Sequence, residues 1–328
     1  MKSPITGKEM KVGKEMRDMT YRKESFPVFF HFYQCEDTRE KFEDNHFSEL
    51  NFNQVVNQYR VRHHIPFPEQ ILEIRQKYKL SAARISEILG MGANSWRNYE
   101  AGEMPSRANA GLIQLISRPE VFEQQVQLNS ELEEKEREIL IKRIQKLKND
   151  NCYSSDQLAR VQCQPDIATG FKAFDPNKTK HLILYFAELM QPFKTKLNKL
   201  LFYADFVHFR GSAQSITGLK YAALPYGPVP NNFEFLFDVL VEDGIINKEY
   251  SLTNYEQVEK ILPSGSIKFD PSLFSQAELE SIEFIADRFK DTTASEIVKI
   301  SHNEPAWIEN IDGKGMIPFH YAFGLVTV

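Results

Sequence analysis

The segment 80–116, LSAARISEILGMGANSWRNYEAGEMPSRANAGLIQLI, constrains this chain more than any other, because two short helix-period stretches meet across a turn of only a few residues. Ser81 is an N-cap type of residue, and Ala82, Ile85, Ile88 and Leu89 follow at helical spacing before Gly90 supplies the backbone freedom that ends the helix. Met91-Gly92 make the turn. A second helix over Ala93–Glu100 directs Trp96 and Tyr99 inward at i, i+3 and leaves Asn94, Ser95, Arg97 and Asn98 on its other faces. Ala101-Gly102 stops it, Pro105-Ser106 restart the chain, and Ala108–Ile116 closes a small bundle. The pattern predicts a helix-turn-helix with its second helix as recognition helix.

Side-chain chemistry at the outward positions points to DNA. Asn bonds adenine edges bidentately and Arg does the same to guanine, so Asn94, Arg97 and Asn98 are the candidate base-reading residues. Ser95 and Ser81 are assigned to phosphate, with Arg84 and Arg107 as positioning charges. Residues 55–110 hold eight Lys and Arg against five acids while the whole chain carries −5, and a basic island in an acidic protein favours counterion-release binding. Helix-turn-helix geometry also occurs in bundles that never meet nucleic acid, and operator binding separates the two readings.

A chain of 328 residues with 42% hydrophobic content is long enough for two or three domains. No apolar run approaches the ~20 residues of a membrane span, and MKSPITGKEM lacks a signal-peptide core, so a cytoplasmic protein with no membrane partner is expected. Cys35, Cys152 and Cys163 are too few, and odd in number, for a disulfide framework, which fits a reducing compartment.

The expected fold is mainly α with small β elements, in four pieces. Residues 1–64 combine an antiparallel hairpin, Lys11–Tyr21 and Ser25–Cys35 around the turn Arg22-Lys23-Glu24, with a helix over Ser48–His64 that buries Leu50, Val55, Val56 and Tyr59. Ile65-Pro66-Phe67-Pro68 break that helix, and residues 65–118 form the helix-turn-helix domain. Residues 119–175 are a linker: a long charged helix over Glu120–Asp150 with an interrupted apolar stripe (Leu128, Leu132, Ile139, Leu140, Ile144, Leu147), then a polar connector from Asn149 to Asp175. The stripe serves either as a short coiled-coil seam or as a face packed on its own domain. Residues 176–328 form a compact helical domain with helix-period segments at Lys180–Gln191, Thr195–Phe209, Asn232–Asp243 and Gln276–Phe289, and a loop, SITGLKYAALPYGPVP, in which Leu219–Leu224 is a candidate short strand.

Two resemblances join these pieces. The N-terminal hairpin, ELNFNQVVNQYR, IPFPEQILEIRQKY and the helix-turn-helix with NYEAGEMPS resemble the MqsA-like (YgiT-type) antitoxin and regulator family. KLNKLLFYADF, TGLKYAALPYGPVP and SHNEPAW resemble the Panacea, or SocA-like, domain. The combination implies an antitoxin of a type II toxin–antitoxin system, one half binding operator DNA as a repressor and the other meeting a protein toxin. In the first family the hairpin presents two CxxC-like pairs to zinc; the corresponding positions here are Ser3, Thr6, Cys35 and Thr38, and a single thiolate predicts no zinc. His31 and His46 are the residues that could complete a site around Cys35. Asn94 matches a base-reading asparagine of that family, while Asn98 stands where it can carry arginine and Arg97 is one place off.

For toxin contact the candidates are Lys196, Lys199 and Tyr203 on one helix face, and Tyr221, Tyr226 and Val229 in the aromatic loop with Gly227 and Pro228; core and rim packing explains the same residues. His302-Asn303-Glu304 and the Asp205/His208 pair are weak metal or acid–base signals, and without a P-loop, GxSxG, HExxH or CxxC the chain is read as no enzyme, with no cofactor. A homodimer is expected, through the helix-turn-helix region rather than the Glu120–Asp150 helix. The alternative is a transcription regulator whose C-terminal domain senses a ligand or delivers a bound protein to a protease.

Overall fold

The computed structural model describes residues 1–153, 158, 164–253, 256–313 and 315–328. The fold is mainly α with small antiparallel sheets. It divides into two compact units, Met1–Gln58 with Leu158–Val328, and Tyr59–Gln157. The division is coarser than the four pieces read from sequence, and it groups the N-terminal hairpin with the C-terminal domain. Among the described residues no helix is long and apolar enough to cross a membrane.

The first unit opens with β1 (Lys11–Tyr21) and β2 (Glu24–Gln34), paired along their whole length. The turn is only two residues, Arg22 and Lys23, both at positive φ (49° and 70°), which matches the right-handed twist of the strands. β3 (Lys41–Phe42) covers the end of β2 at Tyr33 and Gln34. The rest of that edge is covered by α1 (Asn45–Arg62) through amide side chains. Asn51 bonds the backbone N–H and C=O of His31 at 2.8 and 2.9 Å, Gln54 does the same for Phe29 at 2.9 Å each, and Gln58 donates to Pro27 O. Positions 51, 54 and 58 share one helical face, and their partners 31, 29 and 27 alternate along the strand, so the NFNQVVNQ pattern is a built edge cover. Asn53 and Asn57 donate instead to Ser212 O and Ala213 O of the C-terminal piece.

The second unit is helical: α2 (Pro68–Tyr78), α3 (Ala82–Ile88), α4 (Ser95–Glu100), α5 (Arg107–Ile116), α6 (Pro119–Leu128) and α7 (Glu134–Tyr153). Its core joins Ile71, Tyr78, Ile85, Trp96, Ile113 and Phe122, all fully buried. The single helix expected over Glu120–Asp150 is two helices. Asn129 ends α6 in an extended conformation; its amide donates to Ile88 O and accepts from Glu131 N, which turns the chain back. Leu132, Leu140 and Ile144 are therefore core, while Leu128 and Ile139 are exposed. Part of the connector expected over Asn149–Asp175 lies outside the described residues.

The C-terminal part of the first unit is built around α9 (Lys194–Ser212), preceded by α8 (Pro176–Met190). Leu197, Leu200, Leu201, Phe202, Ala204 and Phe206 are all fully buried, as a helix surrounded by partners requires. The aromatic loop is a hairpin, β4 (Tyr221–Leu224) and β5 (Gly227–Pro230), with Ala223 opposite Pro228 and Tyr221 opposite Pro230. After α10 (Phe233–Glu242) comes a hairpin that sequence reasoning missed, β6 (Ile246–Thr253) and β7 (Glu256–Pro263), whose alternation is blurred by charges on both faces. α11 (Gln276–Phe289), α12 (Ala294–Ser301) and α13 (Pro305–Ile308) complete it.

Candidate functional site

α4, the helix expected from sequence to read DNA, is held from behind. Trp96 Nε1 donates to Glu100 at 2.8 Å, Glu100 takes Arg75 bidentately at 2.6 and 3.0 Å, and Tyr99 OH accepts from Asn109 at 2.8 Å. The Trp96 amide donates to Ser86 Oγ across the turn. These contacts bury Trp96 and Tyr99 and leave Asn94, Arg97 and Asn98 exposed, with Ser95 half-buried beside them. The other assigned contacts have structural duties. Ser81 caps α3, its hydroxyl accepting from Arg84 N at 3.1 Å. Arg84 is neutralised by Glu136 and Glu87, and Arg107, exposed, lies 3.4 Å from His63 Nδ1. Arg60 donates to Pro66 O and Gly102 O, and Lys77 to Ser117 O. Much of the basic surplus over residues 55–110 is thus taken up internally, and Arg97 and Arg107 are the cations at the predicted surface.

Ser3, Thr6, Cys35 and Thr38 do converge. Hydrogen bonds from Ser3, Thr38 and Thr6 pull the buried Cys35 thiol down to about 6, with Thr6 Oγ1 at 3.6 Å from Sγ. One thiol and three hydroxyls do not supply the soft ligands that structural zinc requires, so the residues present do not fit that metal. His31 is turned into an aromatic contact with Phe47 and Phe323.

The C-terminal part of the first unit holds two separate buried polar clusters, one around Asp205 and one around Glu304. Asp205 is wholly buried and accepts from Ile216 N (2.8 Å), Thr217 N (2.9 Å), Thr217 Oγ1 and Tyr221 OH (2.7 Å); burial pushes its carboxyl up against the pull of these donors. It is a loop anchor, and no group of three metal-ligating side chains occurs among the described residues. His208 instead faces Ser281, and burial lowers it to about 4. Tyr203 OH donates to Glu304, which also receives Val326 N and Thr327 Oγ1.

The candidate toxin contacts separate accordingly. Lys199, Tyr203 and Tyr221 are fully buried, and Lys196 and Val229 are 8% and 5% exposed, so little of these five side chains reaches the surface. Tyr226 is 70% exposed. It sits at the tip of the β4–β5 turn and on the wall of a groove of about 1060 Å³, lined also by Phe193, Lys194, Lys196, Glu249 and Lys260. The turn is clamped: Trp307 Nε1 donates to Leu224 O at 2.8 Å, and the His302 ring is stacked on Trp307 at 3.9 Å. Gly227, at φ +98°, fits only without a side chain, since a Cβ would fall 2.4 Å from Ser301 Oγ and 2.7 Å from Lys199 Cε. Nothing in the sequence signals that Trp307 holds the turn at Leu224 O or that Glu304 meets Tyr203 of α9; these partners lie 83 and 101 residues away, where spacing carries no signal.

No curated protein matches the chain. Residues 197–308, which hold α9 from its second turn, the clamped turn and the segment that clamps it, match the family model described as antitoxin SocA-like, Panacea domain.

Proposed function

We propose that this protein is the antitoxin of a type II toxin–antitoxin system. The match of residues 197–308 carries the reading. Neutralisation is by direct contact, and Tyr226 with the adjoining groove is the contact surface, because an exposed aromatic on a clamped turn loses little freedom on binding. The helix-turn-helix represses the protein's own operon, with Asn94, Arg97 and Asn98 at base edges and two copies on two half-sites; the buttressed α4 and its exposed polar face support this. The MqsA-like resemblance of the N-terminal half adds to it through the hairpin and the four converged positions. Growth of cells expressing the adjoining gene, with the full chain supplied in trans, tests the reading. Rescue that fails in Tyr226→Ala supports it; a harmless neighbour overturns it.

A further inference from the structure

β1 is an edge strand. The sheet runs β1-β2-β3, and among the described residues no element pairs with the outer side of β1 from Lys11 to Tyr21. β2 decides which residues face that side. Phe29 and His31 turn their N–H and C=O groups away from β1, to Gln54 and Asn51 of α1. Their partners across the ladder, Met16 and Lys14, therefore turn the same groups away from β2, and Val12, Asp18 and Thr20 follow by alternation. All five residues are exposed, Val12 and Met16 by 63% and 59%. The pairing with β2 is continuous and the strand has no proline, so neither bulge nor proline blunts this edge, and such a row of unpaired backbone groups is a template for another strand.

We propose that β1 is the docking surface for a second copy of this chain, the two strands pairing antiparallel about a two-fold axis at Met16. The charge pattern selects both the occupant and the register. Lys14-Glu15-Met16-Arg17-Asp18 reverses its signs about its centre, so with Met16 opposite Met16 each Lys14 faces an Asp18 and each Glu15 an Arg17. Moving the axis by one residue sets Glu15 against Glu15 or Arg17 against Arg17; moving it by two sets Lys14 against Lys14 or Asp18 against Asp18. A half step brings the outward backbone groups of one strand opposite the inward groups of the other. The register at Met16 satisfies the backbone as well, because Met16 with Met16, Lys14 with Asp18, and Val12 with Thr20 each exchange N–H and C=O bonds. Lys14 gives one N–H to Phe323 O and keeps its other donors for the second copy's carboxylate. The pairing stands independently of the antitoxin reading.

The test is oxidative cross-linking of the full-length protein carrying Cys152→Ser and Cys163→Ser. Met16→Cys is expected to form a disulfide-linked dimer, since the axis holds the two Cα atoms of residue 16 about 5.5 Å apart. Thr20→Cys alone is expected to stay unlinked, its two copies lying about 27 Å apart, yet to link with Val12→Cys when the two proteins are mixed. Asp18→Lys sets a lysine against Lys14 at both ends of the pairing and should slow the Met16→Cys reaction roughly tenfold or more; adding Lys14→Asp should restore it. No link through Met16→Cys, equal linking of Thr20→Cys, a rate unmoved by Asp18→Lys, or no recovery in the folded double variant overturns the interface. So does a chain that stays monomeric in sedimentation equilibrium, and loss of growth rescue in Asp18→Lys would then give the edge to a different protein.

Discussion

Burial governs Lys199 more than any neighbour does, and its effect on stability has a definite sign. The folded value of about 7 lies below the ordinary 10.5, so between those two values the unfolded chain binds more protons and stability rises with pH. Below about 7 both states are protonated and the penalty is complete. Lys199→Met is therefore expected to exceed the wild type by a few kcal/mol at neutral pH, each pKa unit being worth about 1.4 kcal/mol, with the gap closing toward 10.5. Urea denaturation of both proteins at neutral and alkaline pH measures this; a constant gap would contradict it. Asp205 has the opposite character, since four donors converge on it. Asp205→Ala strands them and should cost about 3–5 kcal/mol, read from the same urea curves; a loss under ~1 kcal/mol would show that the anchor is dispensable. The sequence marked Asp205 only as a metal candidate through its spacing to His208. Its true partners, Ile216, Thr217 and Tyr221, lie beyond a helix end, where periodicity is silent.

Among the elements, α3 and α4 were the most legible, because caps, glycine turn and apolar spacing all agree within one short stretch. Ser81 separates structure from recognition. Ser81→Ala should lower stability by about 1 kcal/mol through loss of the α3 cap while leaving the operator affinity of the folded protein unchanged. Asn94→Ala and Asn98→Ala should do the reverse, each weakening operator binding by about 1–3 kcal/mol with the melting point held, as titration of labelled promoter DNA would report. Equal affinities would remove α4 from the base edges. The legible part ends where local pattern and tertiary context diverge. The charged run after Pro119 keeps helical period through Asn129, where that amide's bonds with Ile88 O and Glu131 N turn the chain back. The β6–β7 hairpin was invisible because Lys248, Glu249, Glu259 and Lys260 place charge on both faces.

At the scale of the whole molecule the sequence suggests a bead-like order of pieces, whereas the chain makes its first unit from both ends. Nothing in residues 1–64 announces this, since Asn53, Asn57 and Phe29 read as ordinary polar and apolar positions until their partners are known. Those partners are distant: Ser212 O and Ala213 O at the end of α9, and Phe323, whose ring lies 5.3 Å from Phe29 and 5.0 Å from His31 while its carbonyl accepts from Lys14. The hairpin and the first half of α1 therefore act as a buttress for the C-terminal fold. Deleting residues 1–58 uncovers Phe323 and the end of α9 without touching Tyr226 or its groove. The expected result is a lower and broader melting transition and failure to rescue growth, despite an intact contact surface. Gln54→Leu in the full chain, which opens one rung of the β2 edge cover, should show a smaller fall of the same kind. A deletion that melts like the parent and still neutralises would make the hairpin an appended module, and the grouping of the two ends a matter of proximity without energetic consequence.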